Sequence, residues 1–270
     1  MKQDEQRFLA YLEDVRNGKE TIHAEVLFPY EIIRPFFRKS ILAKNWPEIP
    51  VDVLEALWNA LPETKDMPNA ISVIDTSGSM YCRAPGAVLP AVISQSLGLY
   101  HAERCKGAFH NHFITFESDP HLLEIRGRNL AEKLMYLRST PWGGSTNLEK
   151  VFDLILKTAV QTGVSQEEMP SVLYIISDME FNCAVRNPGM TIYENAKESF
   201  SEYGYEVPAT VFINVNSWQK QVPVRAHTKG TALVSGAGTS AFQHKFDGNV
   251  TPKSHMMRVL GGERYARIHA

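Results

Sequence analysis

The pattern of apolar residues divides the chain into two parts. In residues 1–68, apolar side chains recur at helical spacing between Phe8 and Val15, and Pro29 and Pro50 each open a further helical stretch. From Ala70 onward, short runs rich in β-branched residues alternate with longer amphipathic segments. The pattern predicts a helical appendage over residues 1–68 and an α/β domain over residues 69–270.

The second part is predicted to contain six strands, at 71–74, 108–116, 121–125, 171–177, 209–215 and 231–235, separated mostly by helices at 87–105, 130–138, 148–161 and 192–203. Ser118-Asp119-Pro120 is too short for a parallel crossover, so the third strand should be antiparallel. This alternation predicts a doubly wound, mostly parallel six-stranded sheet with one antiparallel edge strand and helices on both faces.

The appendage carries more large apolar side chains than a solvated tail would, namely Phe28, Phe36, Phe37, Trp46 and Trp58. We expect them to pack on the α/β domain or on a partner. The boundary is predicted between Pro62 and Asn69, where two prolines and mixed charge interrupt the helical pattern.

Oxygen-bearing side chains follow the first strand directly. Asp75, Ser77 and Ser79 stand at alternate positions, and Gly78 lets the chain turn tightly between them. Loops at the carboxyl ends of parallel strands form the crevice where ligands bind. One carboxylate and two hydroxyls suit a hard cation such as Mg²⁺, and suit zinc or copper poorly. The alternative is that these side chains cap a following helix.

Two later segments could complete the coordination. Thr146 follows the Gly143-Gly144 turn and precedes a helix, and Asp178 follows the buried strand at 171–177. Each side chain could instead cap the element that follows it, and for Thr146 both roles are compatible.

Asp75, Ser77, Ser79, Thr146 and Asp178 together resemble the metal-ion-dependent adhesion site of von Willebrand factor A (VWA) domains. That site consists of Asp-x-Ser-x-Ser, a distant Thr and a distant Asp, in this order. The resemblance implies a VWA, Rossmann-like fold that binds Mg²⁺, or else Mn²⁺ or Ca²⁺. It further implies that the two serines and the threonine contact the metal, that the aspartates act directly or through water, and that a ligand carboxylate completes the shell.

The resemblance therefore implies a Mg²⁺-dependent adhesion or scaffold module whose partner is a protein with an exposed Asp or Glu. Residues near the metal loops in sequence are candidates for partner contacts at the rim: Tyr81, Arg83, Trp142, Phe181 and Arg186. The alternative for these residues is ordinary packing beneath the loops.

A wider resemblance covers most of the chain. Phe28-Pro29-Tyr30-Glu31, Leu57-Trp58-Asn59-Ala60 and Thr251-Pro252 are similar to a family of uncharacterised proteins of viruses, bacteria and eukaryotes. That family is similar in turn to the VWA domain of Ro/TROVE ribonucleoproteins, which implies association with small RNA as an alternative function. Residues 1–68 are too few for the helical-repeat ring of a Ro protein, so this alternative is not carried over in full.

Composition narrows the remaining functions. A formal charge of −2 gives no electrostatic support for nucleic-acid binding. Three irregularly spaced cysteines argue against a disulfide framework, and the chain shows neither a signal-peptide pattern nor a long apolar run, so we expect a cytoplasmic protein that does not bind membranes. We find no Gly-x-Ser-x-Gly elbow, P-loop or dinucleotide fingerprint. We therefore expect no enzymatic activity, with a metal-dependent phosphohydrolase as the third alternative.

Overall fold

The structure, a computed structural model, describes seven continuous stretches of the chain. These are residues 26–37, 50–64, 67–82, 87–140, 146–181, 191–216 and 230–242, and positions 7, 10, 11, 13–15, 17, 19, 20, 24, 256, 257, 260 and 261 are described as well.

Six strands of the described residues form one sheet: β1 (Ala70–Asp75), β2 (His112–Phe116), β3 (Leu122–Glu124), β4 (Val172–Ser177), β5 (Ala209–Asn214) and β6 (Thr231–Ser235). Their spatial order is β3-β2-β1-β4-β5-β6. Neighbouring strands are parallel except for β2 and β3, which are antiparallel. The mostly parallel sheet with one antiparallel edge strand that the sequence predicted is thus confirmed.

Helices cover both faces of the sheet. They are α1 (Pro29–Ile33), α2 (Val51–Asn59), α3 (Pro90–Arg104), α4 (Leu130–Ser139), α5 (Leu148–Thr162) and α6 (Ile192–Glu202). Short 3₁₀ turns span Arg34–Phe37, Gly78–Tyr81 and Thr239–Phe242. Within the described parts of the chain, no helix has the length and apolar character needed to cross a bilayer.

The alternation of side chains along the strands separates two apolar cores. Ile74 of β1 and Ile176 of β4 face the core that also contains residues of α1 to α4. Val73 and Ile175, one position away, face the opposite core under α5 and α6. Because both faces of these central strands are covered, their residues are buried throughout, which is the pattern of parallel strands.

Described residues between positions 32 and 61 contribute to the first of these cores. Ile33, Phe36 and Trp58 are buried in the same cluster as Ile74. Trp58 is also held by hydrogen bonds: its Nε1 donates to Glu103 at 2.6 Å, and its carbonyl oxygen accepts from Arg104 at 2.7 Å. Phe28 is more exposed, and Trp46 lies outside the described residues. The domain boundary at residues 62–69 stays a prediction.

Two elements differ from the sequence-based expectation. The helix expected from Tyr30 to Lys39 is α-helical only to Ile33 and continues as a 3₁₀ turn. Pro35 explains this change, because it has no N–H to donate along an α-helix. The strand expected from Ala108 begins only at His112, because Asn111 has a positive φ of 60° and residues 107–111 form turns instead.

His101 of α3 is buried against the sheet. Its ring centroid lies 4.9 Å from that of Tyr174 and 5.0 Å from that of Phe242, and its Nδ1 shares a 2.8 Å hydrogen bond with the Ser72 hydroxyl. Its Nε2 has no hydrogen-bond partner among the described residues. Burial lowers the pKa of His101 from 6.5 to about 3. The imidazole is therefore neutral in the folded protein at physiological pH.

We expect this histidine to make folding less favourable in acid. Below pH 6.5 the unfolded chain protonates His101 while the folded chain does not, so stability falls as pH drops from 6.5 towards the folded pKa of about 3. One such proton contributes a slope of about 1.4 kcal/mol per pH unit. Urea unfolding of wild type and His101→Gln between pH 7.5 and 4.5 should show a shallower slope for the variant. The Ser72→Ala variant keeps the titrating group and should keep the wild-type slope; equal slopes for wild type and His101→Gln would contradict the assignment.

Candidate metal-binding edge

The predicted metal residues converge where the strand order reverses. β1 and β4 are neighbours in the sheet although α3, β2, β3, α4 and α5 separate them in sequence. Their parallel register pairs Ile74 with Ile176, so both strands end at the same edge. In doubly wound sheets, ligands bind outside the carboxyl ends of the strands at this point of reversal. Asp75 and Asp178 therefore lie at the position where such a fold binds its ligands.

Asp75 is fully buried at the end of β1 and is held on both sides. Its Oδ1 accepts from the Ser77 backbone N–H at 2.8 Å, which forms the turn out of the strand. Its Oδ2 accepts from the Ser177 hydroxyl on the neighbouring strand at 2.5 Å. The carboxylate is thereby fixed in orientation across the β1/β4 junction.

The charge on Asp75 is disfavoured in this setting. Burial raises its pKa from 3.8 to about 6, the hydrogen bonds from Ser177 and Ser77 oppose the rise, and the negative charge of Asp178 adds to it. That last contribution places the two carboxylates within electrostatic reach of each other. The edge therefore concentrates negative charge in a buried position.

Asp178 and Thr146 are connected through the backbone of Glu180. Asp178 is 1% exposed; its Oδ1 accepts from the Glu180 N–H at 3.2 Å, and its Oδ2 has no hydrogen-bond partner among the described residues. The buried Thr146 hydroxyl donates to the Glu180 carbonyl oxygen at 2.8 Å. Since that bond uses the hydroxyl proton, the lone pairs of Thr146 Oγ1 stay available to a cation. The loops before α5 and after β4 thus meet at this edge.

Ser77 and Ser79 complete the hydroxyl set. Their Oγ atoms lie 3.2 Å apart, so the two side chains point into the same small region. The capping alternative fits poorly: Ser77 precedes a 3₁₀ turn without a side-chain cap, and α5 is capped by Asn147, which accepts from Lys150 N–H at 3.1 Å. Neither Ser77 nor Thr146 is therefore used as a helix cap.

The donors fit a hard cation. Asp75 and Asp178 are buried, yet in the described part of the chain no basic side chain forms an ion pair with either carboxylate. Two buried like charges without a counter-charge are costly, and the unpartnered Asp178 Oδ2 adds to that cost. No cluster of three His, Cys, Asp or Glu side chains suited to a metal occurs among the described residues, so a site here depends on the hydroxyls. An all-oxygen set of this kind suits Mg²⁺, Mn²⁺ or Ca²⁺.

The predicted rim residues differ in their burial and in whether the structure describes them. Tyr81 is partly buried beside the edge. Burial raises the pKa of its phenol; the charge of Arg138 and a hydrogen bond with Gln95 oppose the rise, and the charge of Asp75 adds to it. Phe181 is 9% exposed and packs on Phe116 and Phe212, with ring centroids 5.6 and 5.9 Å away, which favours the packing alternative. The other three, Arg83, Trp142 and Arg186, lie outside the described residues.

Sequence reasoning missed two residues that shape the edge. Ser177 stands directly before Asp178, and a hydroxyl at a strand end beside a carboxylate could have drawn attention to it. Arg138 is the last but one residue of α4, and nothing in its local sequence points to Tyr81, so only the packing of α4 reveals it.

Two family descriptions match the chain. "Domain of unknown function (DUF7788)" matches residues 69–258, and "Domain of unknown function (DUF2828)" matches residues 1–66. A relative from Acanthamoeba polyphaga mimivirus, "Uncharacterized protein L728", is 30% identical over 255 residues, which are 94% of this chain and 43% of the relative. The chain thus spans less than half the length of that protein.

Three solved structures illustrate the similarity in fold. The Ro (RSR) protein of Deinococcus radiodurans is 14% identical, with a TM-score of 0.47 over 80% of this chain and 43% of that one. The SpRpn10 VWA domain is 10% identical, with a TM-score of 0.39 over 68% and 99%. Proximal thread matrix protein 1 from mussel byssus, described with a zinc-occupied MIDAS motif, is 10% identical, with a TM-score of 0.40 over 67% and 46%. At these scores the likenesses say nothing about the ligands or partners of this chain.

Neutralising Asp75 should stabilise the protein when no cation is present. With a chelator at pH 7.5, we expect Asp75→Asn to raise the free energy of unfolding by about 1–3 kcal/mol, because the amide replaces a buried charge. The folded pKa of about 6 lies above the unfolded value of 3.8, so the stability contributed by the protonated carboxyl is lost as pH rises through 6. The gap between variant and wild type should therefore close as pH falls below 5, as measured by urea unfolding.

Glu202→Gln, a change at an exposed position on α6, is the matched control and should shift stability by no more than about 0.5 kcal/mol. A lower stability of Asp75→Asn under chelation would mean that the carboxylate is already compensated within the protein.

Proposed function

The chain belongs to the family described as "Domain of unknown function (DUF7788)", and we propose that the edge formed by Asp75, Ser77, Ser79, Thr146 and Asp178 is a cation-dependent module for protein binding. We infer Mg²⁺ as the cation and an Asp or Glu side chain of a partner protein as the ligand. The observation that supports this most directly is that Asp75 and Asp178 are both buried at the carboxyl edge of the sheet and that no described basic side chain forms an ion pair with them.

The buried carboxylates account for the choice of a metal ion. The proposed cation would supply the positive charge that the described residues do not pair with Asp75 and Asp178. The hydroxyls of Ser77, Ser79 and Thr146 would contact it, while the two aspartates would bind directly or through water. Three neutral oxygens and two carboxylates make a set that Mg²⁺ accepts, with positions left for water or for a partner.

The charge left on the proposed cation accounts for an anionic ligand. A cation bound largely by neutral hydroxyls keeps part of its charge unneutralised and so attracts an anionic group. The rim carries positive charge as well, because Arg138 lies within electrostatic reach of the Tyr81 phenol, and Tyr81 is in turn within reach of Asp75. A carboxylate approaching the edge would meet the proposed cation, and Arg138 adds positive charge within electrostatic reach of Tyr81. Electrostatic complementarity of this kind favours association with acidic surfaces.

Two hydroxyls of the edge, those of Ser177 and Thr146, are poorly placed to act as nucleophiles. The described part of the edge supports binding better than turnover: the Ser177 hydroxyl donates to Asp75, and the Thr146 hydroxyl donates to a backbone carbonyl. Ser177 is fully buried, so a substrate cannot reach its hydroxyl, and the backbone carbonyl that accepts from Thr146 is not a general base. The absence of enzymatic activity is accordingly part of the proposal.

Calorimetric titration with Mg²⁺ tests the metal site. We expect wild type to bind one equivalent at the edge, and Asp75→Ala to bind there at least about tenfold more weakly, because a carboxylate of the set is lost. Glu202→Ala, which removes an exposed carboxylate from α6, should bind as wild type does. Equal affinities for wild type and Asp75→Ala would remove these residues as the metal site.

A peptide-display selection tests the ligand class. We expect peptides captured in Mg²⁺ and released by EDTA to share an Asp or Glu residue, and to lose binding when that residue becomes Asn or Gln. The expectation follows from a free coordination position on a partly neutralised cation. Binding should be measured by calorimetry with synthetic peptides, using Asp75→Ala as the protein control.

Four outcomes would count against the proposal. Selected peptides without acidic residues, or binding that survives EDTA, would show that the edge does not capture a carboxylate through a metal. Turnover of p-nitrophenyl phosphate with Mg²⁺ or Mn²⁺ would favour the phosphohydrolase alternative. Retention of small RNA that weakens steeply with salt would favour the Ro-like alternative.

A further inference from the structure

A second group of oxygen donors lies between α5 and α6, in the second core rather than at the edge. The two helices enclose a small cavity of about 10 Å³, roughly the room that one water-sized particle occupies. Its polar lining comes from Glu149 and Asp153 of α5 and from Asn195 and Ser199 of α6. Phe152 and Phe200 form its apolar side, with ring centroids 6.5 Å apart.

The spacing of these residues explains why they meet. Glu149 and Asp153 are four positions apart, as are Asn195 and Ser199, so each pair lies on one face of its helix. The two faces are turned towards each other across the same cavity. Two carboxylates, one amide and one hydroxyl from two helices thereby line one cavity.

Asn195 indicates that this cavity is built for a ligand. The residue is 6% exposed, and neither its Nδ2 nor its Oδ1 has a hydrogen-bond partner among the described residues. A buried amide whose donor and acceptor both lack hydrogen-bond partners is unfavourable. A cation in the cavity that Asn195 lines would bind Oδ1, and Nδ2 would then need an acceptor such as a carboxylate that shares the cation.

We propose that the α5/α6 cavity is a second cation site, separate from the metal-binding edge, and that it takes a divalent ion of the Ca²⁺ class. Ca²⁺ accepts six to eight oxygen ligands in flexible geometry at about 2.3–2.6 Å, including carboxylates, amide oxygens and water. The carboxylates of Glu149 and Asp153 balance its charge, and Asn195 Oδ1 and the Ser199 hydroxyl add neutral donors. Mg²⁺ fits less well, because it requires near-octahedral geometry that side chains from two helices are less able to supply.

The site would hold α5 against α6. α5 begins at Leu148, two residues after Thr146, so an ion at Glu149 and Asp153 steadies the helix that carries the Thr146 end of the metal-binding edge. The proposal does not depend on the function of that edge, because its ligands are a different set of side chains.

Terbium luminescence tests the second site, because Tb³⁺ replaces Ca²⁺ and is sensitised by nearby tyrosine. Tyr193 of α6 serves as the donor, since its ring centroid lies 6.2 Å from that of Phe152 on the cavity wall. The experiment uses the full chain carrying Asp75→Ala, which disables the edge. We expect saturable Tb³⁺ luminescence with one equivalent, displaced by Ca²⁺, and at least about tenfold weaker when Asp153→Asn is added.

Two further variants keep the result interpretable. Glu198→Gln removes an exposed carboxylate from the same helix and should leave the affinity unchanged. Asn195→Asp preserves size and adds a third carboxylate, so it should tighten Ca²⁺ binding at the cavity. No saturable Tb³⁺ signal in the Asp75→Ala protein, or an affinity unaffected by Asp153→Asn and Asn195→Asp, would overturn the proposal. Retention of one cation equivalent in Asp75→Ala, with no loss relative to wild type, would count against the edge and leave the α5/α6 site standing.

Discussion

Two carboxylates are buried at the junction of β1 and β4 without a basic partner among the described residues, and the properties of this edge of the sheet depend on that constraint. Folding has to bring Asp75 and Asp178 out of water, and the raised pKa of Asp75 records how unfavourable that is. Hydrogen bonds from Ser77 and Ser177 reduce the cost without removing the charge. Among the described residues this pair has no compensating charge, and the proposed cation would supply one.

The topology explains why the pair is placed there. Residues of β1 and β4 are separated by about a hundred positions, yet the reversal of strand order makes these strands neighbours and aligns their carboxyl ends. Because both faces are covered by apolar cores, the strands themselves can carry only apolar or fully hydrogen-bonded side chains. Polar groups are therefore displaced to the strand ends, where the loops after β1, before α5 and after β4 supply hydroxyls to one region.

Much of this could be predicted from local sequence. Runs such as Val172–Ser177 contain enough β-branched and apolar residues to identify buried strands, and the abrupt change to Asp178 marks their end. The alternation of strands and helices then leaves few topologies, which is why the sheet and the convergence of β1 and β4 could be anticipated. The onset of β2 was missed although the sequence carried a signal, because Asn111 belongs to the residue type that most readily adopts a positive φ after glycine.

Residues of the site could be predicted only where they directly follow a predicted strand. Asp75 and Asp178 follow strands and so were identifiable, whereas the Ser177 to Asp75 bond required the β1/β4 register. The position of Arg138 depends on how α4 packs, which the spacing of apolar residues in the sequence does not indicate. Long-range side-chain contacts of this kind are set by tertiary packing, so they become visible only in the folded structure.

The appendage is connected to the edge through that same arginine. Arg138 Nη1 donates to the Phe36 carbonyl oxygen at 3.4 Å, and its guanidinium lies 5.3 Å from the centroid of the Phe37 ring. The same side chain acts electrostatically on Tyr81, beside Asp75. Residues 34–37 therefore help to orient a positive group at the rim, and removing them would change the electrostatics of the edge as well as the packing of the core. Residues 34–37 and the α/β sheet are therefore coupled through Arg138, and in the proposed function this coupling would hold a positive charge beside the edge that receives an acidic group.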